Sequence, residues 1–177
     1  HRPSRESHKV NPISQYGTTK RKGETLLLAL APEAIIIRTA WLYSPYGKNF
    51  VKTMLRLADT QTEIRVVCDQ IGTPTYARDL ARAVVKILCS HQWVPGIYHF
   101  TDEGAASWYD FAKAIFRIAG KKVNVVPIPT EDFPTPASRP AYSILDRSRI
   151  KATYGVEIPH WEEALADCMA QIENSNN

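Results

Sequence analysis

Cysteine is scarce in this 177-residue sequence: Cys68, Cys89 and Cys168 are an odd number, widely spaced and without a Cys-x-x-Cys pair. That excludes a disulfide framework and a cysteine-based zinc site, and it points to reduced thiols. Long apolar runs are missing too. The longest, 26–31 and 34–37, fall far short of the roughly 18 residues that a membrane-spanning helix needs. No signal-peptide pattern opens the chain, so a cytoplasmic protein without a membrane partner is expected. Neither sign of charge dominates, with 22 Lys and Arg against 18 Asp and Glu and a net charge of +4. Basic residues alternate with acids except at Lys20-Arg21-Lys22, so nucleic-acid binding is not expected, and a mildly positive surface suits a small anionic ligand. The acidic residues form no convincing metal-ligand cluster, so no metal ligands are assigned.

Glycine is also sparse. None of the eight glycines stands in Gly-x-Gly-x-x-Gly or Gly-x-x-Gly-x-x-Gly order after a strand. The phosphate cradle of a dinucleotide fold needs glycines where the backbone approaches a pyrophosphate at a helix N-terminus, so this chain does not carry that cradle. The sequence begins with His1 rather than Met, which suggests that it starts partway into a gene product.

What is present begins with 44% apolar residues, enough for one substantial core with a smaller lobe attached. The chemistry concentrates between Asn11 and Glu24. Asn11-Pro12 is a turn signal and Ser14 a helix N-cap, so a helix is predicted from about Gln15 to Ala31, ending near Pro32. On it, Tyr16 and Lys20 are four residues apart and share a face. A cation beside a phenol favours its ionised form and fits it for proton transfer. The spacing alone is not specific, since Tyr109 and Lys113 repeat it on a helix whose apolar positions indicate ordinary packing with Lys113 in solvent.

The wider pattern is more specific. Asn-Pro-x-x-x-Tyr-Gly-x-x-Lys-x-x-Gly-Glu resembles the active-site helix of the extended short-chain dehydrogenase/reductases, a family of nucleotide-sugar reductases, epimerases and dehydratases. Arg38-Thr39-Ala40-Trp41-Leu42-Tyr43, Asn49-Phe50-Val51-Lys52-Thr53-Met54, Asp69-Gln70-Ile71-Gly72-Thr73-Pro74-Thr75 and Arg139-Pro140-Ala141-Tyr142-Ser143-Ile144-Leu145-Asp146 extend the resemblance over nearly the whole chain. It implies an α/β fold, the C-terminal portion of a Rossmann-like doubly wound parallel sheet with a smaller α/β substrate-binding lobe. Residues 1–44 and 73–101 would belong to the sheet, and 45–72 and 102–177 to the lobe. The implied activity of the intact protein is reduction of the C4 keto group of a dTDP-4-keto-6-deoxy sugar with NADPH or NADH. The alternatives are a non-catalytic relative that keeps the fold, or a reductase or epimerase of another nucleotide sugar.

By the same resemblance Tyr16 is the proton donor and Lys20 holds the nicotinamide ribose, while Trp41 packs against the sugar nucleotide. Asn49, Gln70 and Arg139 are further substrate-binding candidates. Asn49 and Gln70 have a cap or a loop hydrogen bond as the alternative role, and Arg139 a surface position. A homodimer is compatible with the family.

Along the chain, residues 34–40 read as a fully buried parallel strand, with Trp41 and Tyr43 at its carboxyl end, where ligands bind in open α/β sheets. A helix is expected over 49–60, a strand over 64–68, a loop over 69–74, and a helix from Thr75 to about Ser90. There follow a strand over 96–101 and a helix to Ala119 with a Ser107/Asp110 capping box and Gly120 at its end. A strand over 122–129, an irregular segment through Ser138, a short helix over 146–154 ending at Gly155 and a last helix over 161–173 complete the reading.

Overall fold

The structure, a computed structural model of the chain, describes residues 2–135 and 139–176. The expected irregular segment therefore lies partly outside the described residues, at 136–138.

Helix α1 (Gln15–Leu30) starts where the side-chain chemistry requires, with Ser14 Oγ accepting the Gly17 N–H at 3.1 Å. No residue of α1 is buried, and Leu30 is 85% exposed. Strand β1 (Ile35–Arg38) follows. At its end the Arg38 guanidinium makes two 2.6 Å bonds to the Glu24 carboxylate, which draws that carboxyl below its ordinary range. A residue at the far end of the strand thus touches mid-helix. The chain has doubled back, and α1 runs antiparallel to β1.

Beyond β1 come β2 (Leu42–Tyr43), α2 (Phe50–Ala58), β3 (Glu63–Val67), β4 (Ile71–Gly72), β5 (Thr75–Tyr76) and α3 (Ala77–Leu88). Next are β6 (Gly96–His99), β7 (Ala106–Ser107), α4 (Trp108–Ile118) and β8 (Asn124–Ile128), then α5 (Ser148–Tyr154) and α6 (Trp161–Asn176). Three strand pairs are parallel, β1 with β6, β2 with β5, and β3 with β8, while β4 and β7 are antiparallel. The parallel pairs joined through helices are those of an α/β fold.

Three expectations change. The strand expected over 34–40 is shorter and only half-buried, because β6 is its one neighbour among the described residues. The stretch 69–76 is not simply loop into helix but carries β4 and β5, so α3 opens two residues later than expected. The last helix continues to Asn176 rather than ending at Glu173.

Two apolar clusters hold the fold. The larger packs α2, α4 and α6 against β3 and β8 around Val51, Phe111, Ile115 and Leu165, all 0% exposed. Burying such side chains contributes about 1.5–3 kcal/mol each. The smaller gathers Tyr98 and Phe100 with α3 and, from α5, Ile150 and Tyr154. Gly155 ends α5 at φ 61°, the left-handed cap that glycine adopts without strain. Residues 4–6 are tied down: Ser4 pairs with Leu145, and Glu6 Oε1 accepts the His99 N–H.

Candidate active site and substrate cavity

Because α1 runs antiparallel to β1, its first turn lies past the carboxyl end of that strand. Glu24 is level with Arg38, and Tyr16, eight residues earlier on the helix, stands about 12 Å further along. The Lys20 ammonium sits 5.3 Å from the centre of the Tyr16 ring, and Tyr16 is 71% exposed. The structure therefore brings these two together and leaves the phenol open to a ligand. Lys113 of the repeated spacing is exposed, and Tyr109 packs against the larger core, as its sequence setting implied.

Trp41 and Tyr43 part company. Tyr43 is 2% exposed and belongs to the core. Trp41 is half-buried, and it is the one described non-glycine residue with a left-handed backbone, φ 49°. Its indole stacks on Trp108 with centroids 3.6 Å apart and planes 11° off parallel. Gly72 lies directly beneath the indole: a Cβ there would come within 2.6 Å of Trp41 Cε2 and 2.7 Å of Ser143 Oγ.

Trp108 opens on a cavity of about 350 Å³. Phe50, Met54, Val66, Val67 and Phe133 give it an apolar wall, and Arg65, Gln70 and Arg139 give it polar groups. Two of the expected substrate-binding residues, Gln70 and Arg139, thus meet in one cavity. Arg139 is exposed, whereas Gln70 is 7% exposed and bonded on both sides. Its Oε1 accepts Trp108 Nε1–H at 3.2 Å, and its Nε2 donates to Thr130 Oγ1 at 3.0 Å. Asn49 does not line the cavity. It caps α2, accepting the Lys52 N–H through Oδ1 and donating from Nδ2 to the carbonyls of Ser44 and Tyr46. It thereby fixes the loop that leads into Phe50.

Sequence reasoning did not single out Trp108, Phe50, Arg65 or Phe133. For Trp108 the signal was incomplete: the Ser107/Asp110 capping box puts the intervening tryptophan at the first helical position, but nothing local separates a cavity wall there from core packing. It also passed over Asp102, which is 0% exposed. One oxygen of Asp102 accepts the Tyr76 N–H at 2.8 Å, and the other, like the Tyr43 hydroxyl, has no partner among the described residues. Burial pushes this carboxyl up to about 7, with the Asp79 charge adding to the shift, while the Tyr76 N–H and Arg147 oppose it. Among the described residues no group of acids, histidines and cysteines is arranged to hold a metal ion, and no helix is long and apolar enough to cross a membrane.

Known proteins resemble this arrangement along its length. The sequence profile of the RmlD substrate binding domain matches residues 1–174. A dTDP-4-dehydrorhamnose reductase of Aggregatibacter actinomycetemcomitans is 45% identical over 179 residues, covering 96% of this chain and 61% of that protein. The crystal structure of a dTDP-4-dehydrorhamnose reductase from Clostridium acetobutylicum superposes with a TM-score of 0.93 at 46% identity, covering 98% of this chain and 61% of the other. The Bacillus anthracis reductase, solved in complex with NADP, gives a TM-score of 0.89 at 43% identity and covers 94% and 58%. The chain thus spans about three fifths of the length of these relatives. With a profile match from end to end and a superposition this close, the chain belongs to the RmlD substrate binding domain family.

Proposed function

We propose that a protein of the relatives' length containing this chain reduces the C4 keto group of dTDP-4-dehydro-L-rhamnose to give dTDP-L-rhamnose. NADPH or NADH, when bound, supplies the hydride. This chain offers the ribose end of such a cofactor two groups, Tyr16 and Lys20, and offers its phosphates no glycine cradle. Tyr16 donates its phenolic proton to the alkoxide that develops at C4. Lys20 holds the nicotinamide ribose and favours release of that proton. Trp41 lies at the sugar, beside the carboxyl end of β1, and the cavity under Trp108 takes the nucleotide, with Arg139 and Arg65 facing the diphosphate and Gln70 fixing the wall. Asn49 serves by holding the loop before Phe50. The division into a sheet part (1–44 and 73–101) and a substrate lobe (45–72 and 102–177) belongs to the same reading, with α5 packed back under β6. So does a cytoplasmic location.

The observation that carries the proposal is the open Tyr16–Lys20 pair at the carboxyl end of a parallel strand, in a chain similar throughout to named reductases. The test is NADPH- or NADH-dependent reduction of dTDP-4-dehydro-L-rhamnose by the longer protein, followed by loss of nicotinamide absorbance. Turnover of another dTDP-4-keto sugar with none of this one would reassign the substrate. No turnover of any would favour a non-catalytic relative.

A further inference from the structure

Tyr16, Lys20 and Glu24 follow one another at four-residue steps, so they form a ladder along one side of α1, with Lys20 in side-chain reach of both its neighbours. The Lys20 ammonium lies over the Tyr16 ring, 5.3 Å from its centre, and makes no ion pair among the described residues. Yet a carboxylate attracts an ammonium more strongly than an aromatic face does, because a full charge outweighs a quadrupole. What keeps Lys20 from Glu24 is that Glu24 is already filled. Arg38, at the end of β1, donates Nε–H to Oε1 and Nη2–H to Oε2, both at 2.6 Å. Arg21, three residues earlier on α1, adds only a 3.4 Å contact to Oε2. The Arg38 and Glu24 side chains are 21% and 15% exposed, whereas Arg21 is 45% exposed, so the Arg38 bonds are the ones least weakened by water and salt. From the strap, the Glu6 carboxylate further favours the Arg38 charge, and beside it the burial of His99 disfavours a charged imidazole.

We propose, resting on the roles of Tyr16 and Lys20 given above, that Arg38 is a positioning residue for the reaction: by filling both oxygens of Glu24 it keeps the Lys20 ammonium for Tyr16 and the cofactor ribose. Without Arg38, Glu24 Oε1 has no donor among the described residues, and Lys20, one turn away, swings from the phenol to the carboxylate. The two halves of this ion pair are therefore unequal. A clamp that merely holds α1 against β1 fails alike whichever half is removed. A guard on Lys20 fails only when Arg38 is lost and Glu24 remains.

The experiment follows reduction of dTDP-4-dehydro-L-rhamnose across pH by a protein of the relatives' length and its variants, with a thermal melt of each. Arg38→Gln should lower kcat about 10-fold or more and raise KM for the nicotinamide cofactor, with KM for the sugar nucleotide unchanged. The alkaline fall of its rate should move up by about one pH unit, because the proton donor has lost its neighbouring cation. Glu24→Gln removes the competitor and should keep kcat within about 3-fold of the parent. Added to Arg38→Gln, it should restore both rate and pH profile, although the melting temperature stays below the parent's. If Arg38→Gln does not fold, Arg38→Lys, which holds one oxygen rather than two, reads the same effects in smaller measure. Glu24→Gln losing as much rate as Arg38→Gln, or a double variant no faster than Arg38→Gln, overturns the inference and leaves the pair a structural clamp. Where Arg38→Lys stands in, a match to the parent does the same. A parent that turns over no dTDP-4-keto sugar overturns the reading of Tyr16 and Lys20, and this inference falls with it, an outcome distinct from an active parent whose two variants are equally impaired.

Discussion

Asp102→Asn should stabilise this protein, and increasingly so as pH rises. In the folded chain the Asp102 carboxyl titrates near 7, against 3.8 for an ordinary aspartate. Between those values the folded state holds a proton that the unfolded state has released, so the unfolding free energy falls by about 1.4 kcal/mol per pH unit. The stability linked to this proton is fully present below about pH 4, is lost progressively up to about pH 7, and stays lost above it. A displacement of about three units amounts to about 4 kcal/mol at most. Asparagine keeps an oxygen for the Tyr76 N–H and has no charge to bury, its amide nitrogen taking the place of the Asp102 oxygen that has no partner among the described residues. Urea unfolding of parent and variant from about pH 5 to about pH 8 reads the difference directly, because every other titrating group is common to both. The gap between the two should widen through that range and level off above about pH 7. Parallel curves would refute the reasoning, since they would mean that Asp102 ionises in the folded state as easily as in the unfolded one.

In the longer protein, Tyr16→Phe should leave substrate binding intact and lower kcat by about 10²- to 10⁴-fold, as loss of a general acid does; nearly normal kcat would show that the phenol is not the donor. Glu24→Gln removes the negative charge and one of the two acceptor oxygens that take 2.6 Å bonds from Arg38, and it should cost about 2 kcal/mol near neutral pH in denaturant unfolding. Because the Glu24 carboxyl is held below its ordinary 4.5, that stabilisation is present above this value and disappears as pH falls through the lower folded value, so parent and variant should converge in acid. Lacking a phosphate cradle, the 177-residue chain should bind NADPH more weakly than about 100 µM in calorimetry, and a dissociation constant near 1 µM would move the cofactor site into this chain.

Local chemistry made much of this readable from sequence. The starts of α1, α2 and α4 follow from Ser14, Asn49 and Ser107, because a capping side chain needs only the next three residues to act. The Tyr16–Lys20 contact follows from helical periodicity in the same way. What was not readable depends on residues far apart in the chain. β4 pairs with β7 across more than thirty residues, so nothing local marks 71–72 as a strand. The left-handed backbone of Trp41 goes against the preference of its own residue type and is held by Gly72, Thr75 and Trp108. Gln70 and Arg139, which line the cavity, were singled out as candidates, whereas Trp108 on the same cavity was not, because an aromatic residue opening a helix looks like core.

The bridge between Ser4 and Leu145 carries a consequence for how the chain is made. Arg5 reaches its partner Asp146 across 141 residues of sequence, and the carbonyl of Ser4 waits for the amide of the same Asp146. At a synthesis rate of about 5–20 residues per second, that partner is added about 7 to 28 s after the strap itself. Until then Glu6 has no anchored backbone to hold against His99, and β6 is closed on one side only by β1. The strap therefore cannot close before residue 146 has been made, and a chain released from the ribosome short of that residue would keep it open.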